Sequence, residues 1–118
     1  LALAKLLIDR GADVNRAGWT PLHYASTRGH RDMMRLLLDN DAYIDSESTN
    51  GTTPLMMAAY SAPPLAVKLL LEEGADPTLV NHGNAAALDL ALRADHQQSA
   101  FYIRAFIESW YIQNPIKE

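Results

Sequence analysis

Gly18-Trp19-Thr20-Pro21-Leu22-His23-Tyr24-Ala25 is a phrase that this chain uses more than once. It returns, altered, as Gly51-Thr52-Thr53-Pro54-Leu55-Met56-Met57-Ala58 and as Asn84-Ala85-Ala86-Ala87-Leu88-Asp89-Leu90-Ala91. Thr20, Thr53 and Ala86 follow one another at intervals of 33 residues. A constant period of this size marks a stacked repeat architecture, in which each unit is too small to bury its own apolar face and buries it against the next.

A second phrase runs in step with the first: Leu6-Leu7-Ile8-Asp9-Arg10-Gly11-Ala12-Asp13, then Leu36-Leu37-Leu38-Asp39-Asn40-Asp41-Ala42-Tyr43, then Leu69-Leu70-Leu71-Glu72-Glu73-Gly74-Ala75-Asp76. The last two copies keep the interval of 33, whereas the first two are 30 apart, which leaves three residues missing between Asn15 and Gly18. Together the two phrases resemble the ankyrin repeat, with T-P-L-H-x-A opening one helix and L-L-x-x-G-A-D closing the next. The resemblance covers residues 1 to about 96. It implies an all-α fold, a solenoid of stacked helix-turn-helix units with projecting β-turn fingers. The whole chain, 1–118, is then one domain: a partial repeat over 1–15, repeats over 16–47 and 48–80, and a terminal repeat with an aromatic helix over 81–118. The phrases are also similar to those of small proteobacterial ankyrin proteins, some of them exported.

Composition agrees with a single globular domain. A chain of 118 residues, 48% hydrophobic and 20% charged, has room for one core. No apolar run reaches the roughly 18 residues of a membrane span, so the expectation is a soluble protein, with cytoplasm and periplasm both open. The formal net charge of −4 argues against a nucleic-acid partner, which needs a basic face. With no cysteine, disulfide frameworks and thiolate metal sites are excluded. The first residue, Leu1, falls inside a repeat at the position matching Arg31, so the expectation is a processed or excised piece.

Leu3, Leu6 and Leu7 share one face of a helix over Leu1–Arg10 that Gly11 ends, and this face needs a neighbour. Asn15–Trp19 is expected to form a shortened finger. Thr20 should cap the next helix, with Pro21 at its first position, where the missing N–H costs nothing. A tight turn at Arg28–His30 precedes a second helix, Arg31–Asn40, burying Met33, Met34, Leu36 and Leu37. Thr53-Pro54 repeats the cap, and Ala62-Pro63 replaces the turn. Pro64 opens a helix that runs over Leu65–Glu73 to Gly74. In the last repeat Ala86-Ala87 replaces Thr-Pro, a lost cap worth about 1 kcal/mol. Beyond His96 the chain becomes aromatic, holding five of the nine aromatic residues before Pro115 stops it. Phe106, Ile107 and Trp110 suit a cap over the last repeat. Phe101, Tyr102 and Tyr111 are surplus and could instead face a partner or a second copy.

Core positions are dictated by packing, so function falls to the finger tips and the free side of each first helix. The family resemblance implies partner contacts at Trp19, Thr27 and Arg28; at Thr49, Asn50, Thr52, Tyr60 and Ser61; and at His82, Ala85, Arg93 and Ala94. Trp19, Arg28 and Tyr60 stand out because aromatics with a polar edge and arginine dominate binding hot spots. Trp19 could alternatively lie over its own finger and stiffen it. Asp41 and Tyr43 depart from the Gly and Asp of G-A-D, as a local distortion, as a side contact, or as drift at a solvent position. Asp39, Asp41, Asp45 and Glu47 read as a solvated acidic finger, with attraction of a basic partner as the alternative.

The resemblance implies that His23 and His30 bond to backbone groups and tie neighbouring turns. His82 and His96 lack partners at ligand spacing, and there is no H-E-x-x-H, so no metal and no cofactor are expected. No nucleophile elbow or phosphate-cradling glycine loop occurs, and an open stack offers no dry pocket for catalysis. The expected function is therefore non-enzymatic binding of a protein partner, with no nucleic acid and no membrane. An alternative is the regulatory segment of a longer enzyme or effector whose catalytic part precedes residue 1. A monomer is expected, with weak self-association through Leu3/Leu6/Leu7 or the aromatic C-terminal helix as a third reading.

Overall fold

The computed structural model describes residues 18–115. The expectations for the Leu1–Arg10 helix, its Leu3/Leu6/Leu7 face, Gly11 and the start of the shortened finger at Asn15 lie outside the described residues. The described residues form six helices in order: α1 Pro21–Arg28, α2 Arg31–Asp39, α3 Pro54–Ser61, α4 Pro64–Glu72, α5 Ala87–Arg93 and α6 Gln97–Gln113. The first helices of each pair, α1, α3 and α5, stack in a row, and each packs on its own second helix. Among the described residues there is no strand, only an isolated antiparallel bridge between Val80 and Ala86.

Each helix starts where local chemistry says it should. Thr20 and Thr53 are extended N-caps whose hydroxyls accept from the N–H of His23 and Met56, with Pro21 and Pro54 in the first turn. Ala86 has no hydroxyl, yet half of the cap survives, because the Asp89 carboxylate accepts the Ala86 N–H at 2.9 Å. The turns between paired helices take two forms. At Gly29 the backbone is left-handed, φ 68°, and the His30 N–H reaches the Ala25 carbonyl at 3.0 Å. Asp95, φ 59°, repeats this geometry, and His96 N–H reaches Ala91. Between them, Pro63 has no N–H to give and forces its predecessor out of the helical region, so Ala62 is extended at φ −103°.

The departure at Asp41 resolves as a local strain rather than a change of path. Asp41 is left-handed at φ 67°, and the Ala42 N–H bonds to Leu37 just as the Ala75 N–H after Gly74 bonds to Leu70. Aspartate tolerates this region better than most residues with a Cβ.

The core is built of Leu22, Met34, Leu37, Leu55, Met56, Val67, Leu70 and Ile103, with alanines such as Ala25, Ala58, Ala59, Ala66 and Ala91 where helices approach closely. Leu36 is only half-buried, and Leu38, with Met33, packs against this core instead. Met56, Ala59, Ala62 and Leu71 are buried, while their successors one period later, Asp89, Leu92, Asp95 and Arg104, are exposed. Three charges therefore stand on this outer face of the described residues, where further stacking would favour apolar groups.

The aromatic helix does not lie across that end. α6 packs on both α4 and α5, so its apolar side turns back toward the preceding repeat. Ala100 and Ile103 are buried, and Phe106 and Ile107 pack against the core. Phe106 and Trp110 line a groove of about 210 Å³ with Leu71, Gly74, Ala75 and Pro77. Trp110 is half-buried, and Phe101 and Tyr111 remain exposed. Tyr102 is half-buried beneath the Lys68 ammonium, 5.8 Å from its ring centre.

Candidate functional site

One histidine ties the fingers to the helices. His23 is fully buried, and its Nδ1 accepts the Thr20 N–H at 3.1 Å. Nε2 therefore carries the proton and donates to the Thr52 carbonyl of the next finger at 2.7 Å. Burial holds the His23 imidazole below its usual range, against smaller upward pulls from the backbone of Thr52 and Ser46. His96 makes a similar tie, with Nδ1 3.0 Å from the Ala59 carbonyl. His30 does not: it is exposed, and its side chain makes no hydrogen bond with the described residues. The period could have pointed to His96, because it lies two intervals of 33 after His30.

With the helices fixed, the fingers form short hydrogen-bonded turns. In one, the Ser48 N–H donates to Thr52 at 2.9 Å and the Gly51 N–H to Ser48 at 2.9 Å. In the next, the Asn81 side chain accepts the N–H groups of Gly83 and Ala85. The two fingers are joined by the His82 N–H, which donates to the Asn50 carbonyl at 2.9 Å. Gly51, at φ 78°, leaves room for the His82 ring; a Cβ there would meet it at 2.8 Å.

This scaffold exposes most of the expected contact residues on its finger and first-helix face. Arg28, Thr49, Asn50, Tyr60, Ser61, His82 and Arg93 are exposed. Tyr60 is 53% exposed and Trp19 40%. The Trp19 ring sits edge-on to His23 at 5.2 Å and tilted to Tyr24 at 6.4 Å, so it rests on the first turn of α1 while keeping a free side. Thr27 is half-buried, its hydroxyl donating to the His23 carbonyl at 2.8 Å, and Ala94 is half-buried.

Two expected contacts are withdrawn from the surface. Thr52 is 5% exposed, because its backbone is the anchor that receives His23 and pairs with Ser48, and Ala85, one period on, is 1% exposed. Tyr24, 61% exposed, was missed. Its signal was its place four residues before Arg28, on the same helix face.

The acidic group is not one solvated cluster. Asp39, Asp41 and Glu47 are exposed, but Asp45 is half-buried and accepts the Asp76 N–H of the following repeat at 3.0 Å. Burial pushes the Asp45 carboxyl up, the Asp76 N–H pulls it down, and the Asp76 charge adds a smaller upward push. Among the described residues no group of three or more His, Asp or Glu side chains could hold a metal ion. No helix among them is long and apolar enough to cross a membrane.

Comparison with known proteins matches this geometry. The family model for ankyrin repeats, in three copies, matches residues 1–81. The chain is 38% identical over 82 residues to BCL-6 corepressor-like protein 1 of Homo sapiens, covering 67% of this chain and 5% of that protein. It is 30% identical over 106 residues to the ankyrin repeat and KH domain-containing protein mask-1 of Caenorhabditis elegans, covering 86% and 4%. It is 39% identical over 80 residues to ankyrin repeat and SAM domain-containing protein 6 of Mus musculus, covering 67% and 9%. The chain thus spans less than a tenth of each of these relatives.

Proposed function

The chain belongs to the ankyrin-repeat family, and from that premise we propose that it is a non-enzymatic protein-interaction module whose partner docks on the finger and first-helix face. Ankyrin repeats generally mediate protein–protein interaction, and the fold is a non-catalytic one. The observation that carries the proposal is the set of exposed residues that packing does not require. Trp19, Tyr24 and Tyr60 present aromatic surface, Arg28 and Arg93 present guanidinium groups, and Thr49, Asn50, Ser61 and His82 surround them with polar atoms. Exposed aromatics and arginines beside small polar residues are the composition of a binding hot spot and its rim. Rigid finger turns hold these groups in place before a partner arrives, which lowers the entropy cost of association.

Capture from a lysate of the source organism tests this. The wild-type chain should retain a partner that Trp19→Ala/Arg28→Ala/Tyr60→Ser loses while its circular dichroism stays native. A partner held equally by both would refute the assignment to this face.

A second reading draws on the relatives, each of which carries such a segment inside a much longer chain. In that reading the repeats are the regulatory segment of a longer enzyme or effector. The complete reading frame decides it: a catalytic domain joined to the repeats supports it, and further repeats alone count against it.

A further inference from the structure

At the C-terminal ends of the inner helices α1, α3 and α5 stand the pairs Thr27-Arg28, Tyr60-Ser61 and Arg93-Ala94, of which Arg28, Tyr60, Ser61 and Arg93 are exposed and Thr27 and Ala94 half-buried. Since α1 packs on α3 and α3 on α5, these pairs form a row, with an arginine at each end and Tyr60 between them. None of these six residues is a carboxylate, and the nearest in sequence, Asp89 and Asp95, are held by the Ala86 N–H and the Gln97 amide. On the outer helices Arg35 and Lys68 are paired with Glu73 and Glu72. Arg28 and Arg93, in contrast, engage no carboxylate among the described residues.

A net charge of −4 makes these two guanidinium groups a local exception on an acidic molecule. Resting on the interaction reading above, we infer that the row binds an extended acidic peptide segment of the partner, with one carboxylate held by Arg28, a second by Arg93, and an apolar side chain over Tyr60. The guanidinium fork matches a carboxylate with two parallel N–H···O bonds, and a positive row on an acidic body orients an acidic ligand as it approaches. Spacing follows from packing. Neighbouring helix axes lie about 8–10 Å apart, so two steps cover about 16–20 Å. An extended chain advances about 3.3 Å per residue, which places the two carboxylates about five to six residues apart.

Selection from a phage library of random peptides, long enough to span the row, tests the inference on three targets: the wild-type chain, Arg28→Gln/Arg93→Gln and Tyr60→Ser. The wild type should enrich two Asp or Glu positions at that spacing with an aliphatic or aromatic residue between them. The synthetic consensus peptide should bind the double arginine variant about twofold to thirtyfold more weakly, the range for two exposed charge pairs, and its Gln-for-Glu version should bind both proteins alike.

A neutral or basic consensus, no consensus, or an acidic one recovered equally on the arginine variant would overturn the inference. Peptides lost with Tyr60→Ser but kept by the arginine variant would leave the interaction face standing and remove only the acidic ligand. Peptides kept by all three targets would remove both. Tighter binding of a phosphoserine version would replace carboxylate by phosphate, and tighter binding of an oligothymidylate would replace the peptide by nucleic acid; either overturns the assignment.

Discussion

Acidification from about pH 7.5 to about pH 5.5 should weaken this fold through His23. The ring is fully buried between Thr20 and the Thr52 carbonyl, and burial holds its pKa below the ordinary 6.5. As the pH falls through 6.5, the unfolded chain takes up a proton that the folded ring refuses. Stability from this group is therefore complete above 6.5 and declines below it, until the folded ring itself titrates. The limiting slope is about 1.4 kcal/mol per pH unit for one proton.

The geometry explains the refusal. Nδ1 already accepts the Thr20 N–H, so a second ring proton would oppose a donor in a site closed to water. Asp45 acts in the opposite sense, because a raised carboxyl pKa adds stability as the pH falls, but its window lies lower, in the range above 3.8. His23→Gln keeps a donor for Thr52 and an acceptor for Thr20 without a titrating group. It should cost about 1–2 kcal/mol at neutral pH through a poorer fit, and its stability should no longer fall between 6.5 and 5.5. Urea unfolding followed by circular dichroism across this range measures both quantities. A His23→Gln variant that keeps the wild-type slope would refute the reasoning and place the pH dependence elsewhere.

Three further substitutions probe the ties between repeats. Met56 occupies the register of His23 but offers only a thioether to the Thr53 N–H, at 3.4 Å; Met56→His should add the missing bond to the Ala85 carbonyl and raise stability by about 1 kcal/mol, read as a higher urea midpoint. Gly29→Ala should cost about 2 kcal/mol, because φ is 68° and the new Cβ would lie 2.7 Å from the Pro63 ring; an unchanged melting temperature would count against that close approach. Trp110→Ala should cost about 1–2 kcal/mol in the same unfolding assay, since the side chain is half-buried beside the Gly74–Pro77 turn; a loss as large as that of a fully buried tryptophan, about 3–5 kcal/mol, would mean that α6 carries the end of the stack after all.

Much of this architecture was legible because the repeat turns one local signal into several. Thr20-Pro21 and Thr53-Pro54 each announce a helix start, and the fixed interval assigns every other position by register, down to the buried Leu22, Leu55 and Leu70. Register fails where a residue's neighbour differs from copy to copy. Trp19, Thr52 and Ala85 share one position, yet Trp19 keeps 40% of its surface while Thr52 and Ala85 are buried, at 5% and 1%. At Thr52 the backbone, not the side chain, anchors the finger through the His23 bond, and a pattern of side chains does not show that.

The end of the stack shows how the period carries information where the aromatic content of α6 misleads. A helix rich in Phe, Tyr and Trp suggests a lid, but the direction in which its apolar side points is fixed by its packing on α4. Ile107 falls where Gly74 follows the end of α4, so no glycine stops α6 there, and the helix runs on to Gln113 along the preceding repeat. The exposed end is instead managed one side chain at a time: Asp89 replaces Met56, Asp95 replaces Ala62 and Arg104 replaces Leu71, each at a position that a further repeat would desolvate. Burying three uncompensated charges would cost more than apolar contact with Leu92 could return. The finger and first-helix face is a long open surface in either case, and Arg28, Tyr60 and Arg93 on it, rather than the aromatics of α6, carry the proposed contacts.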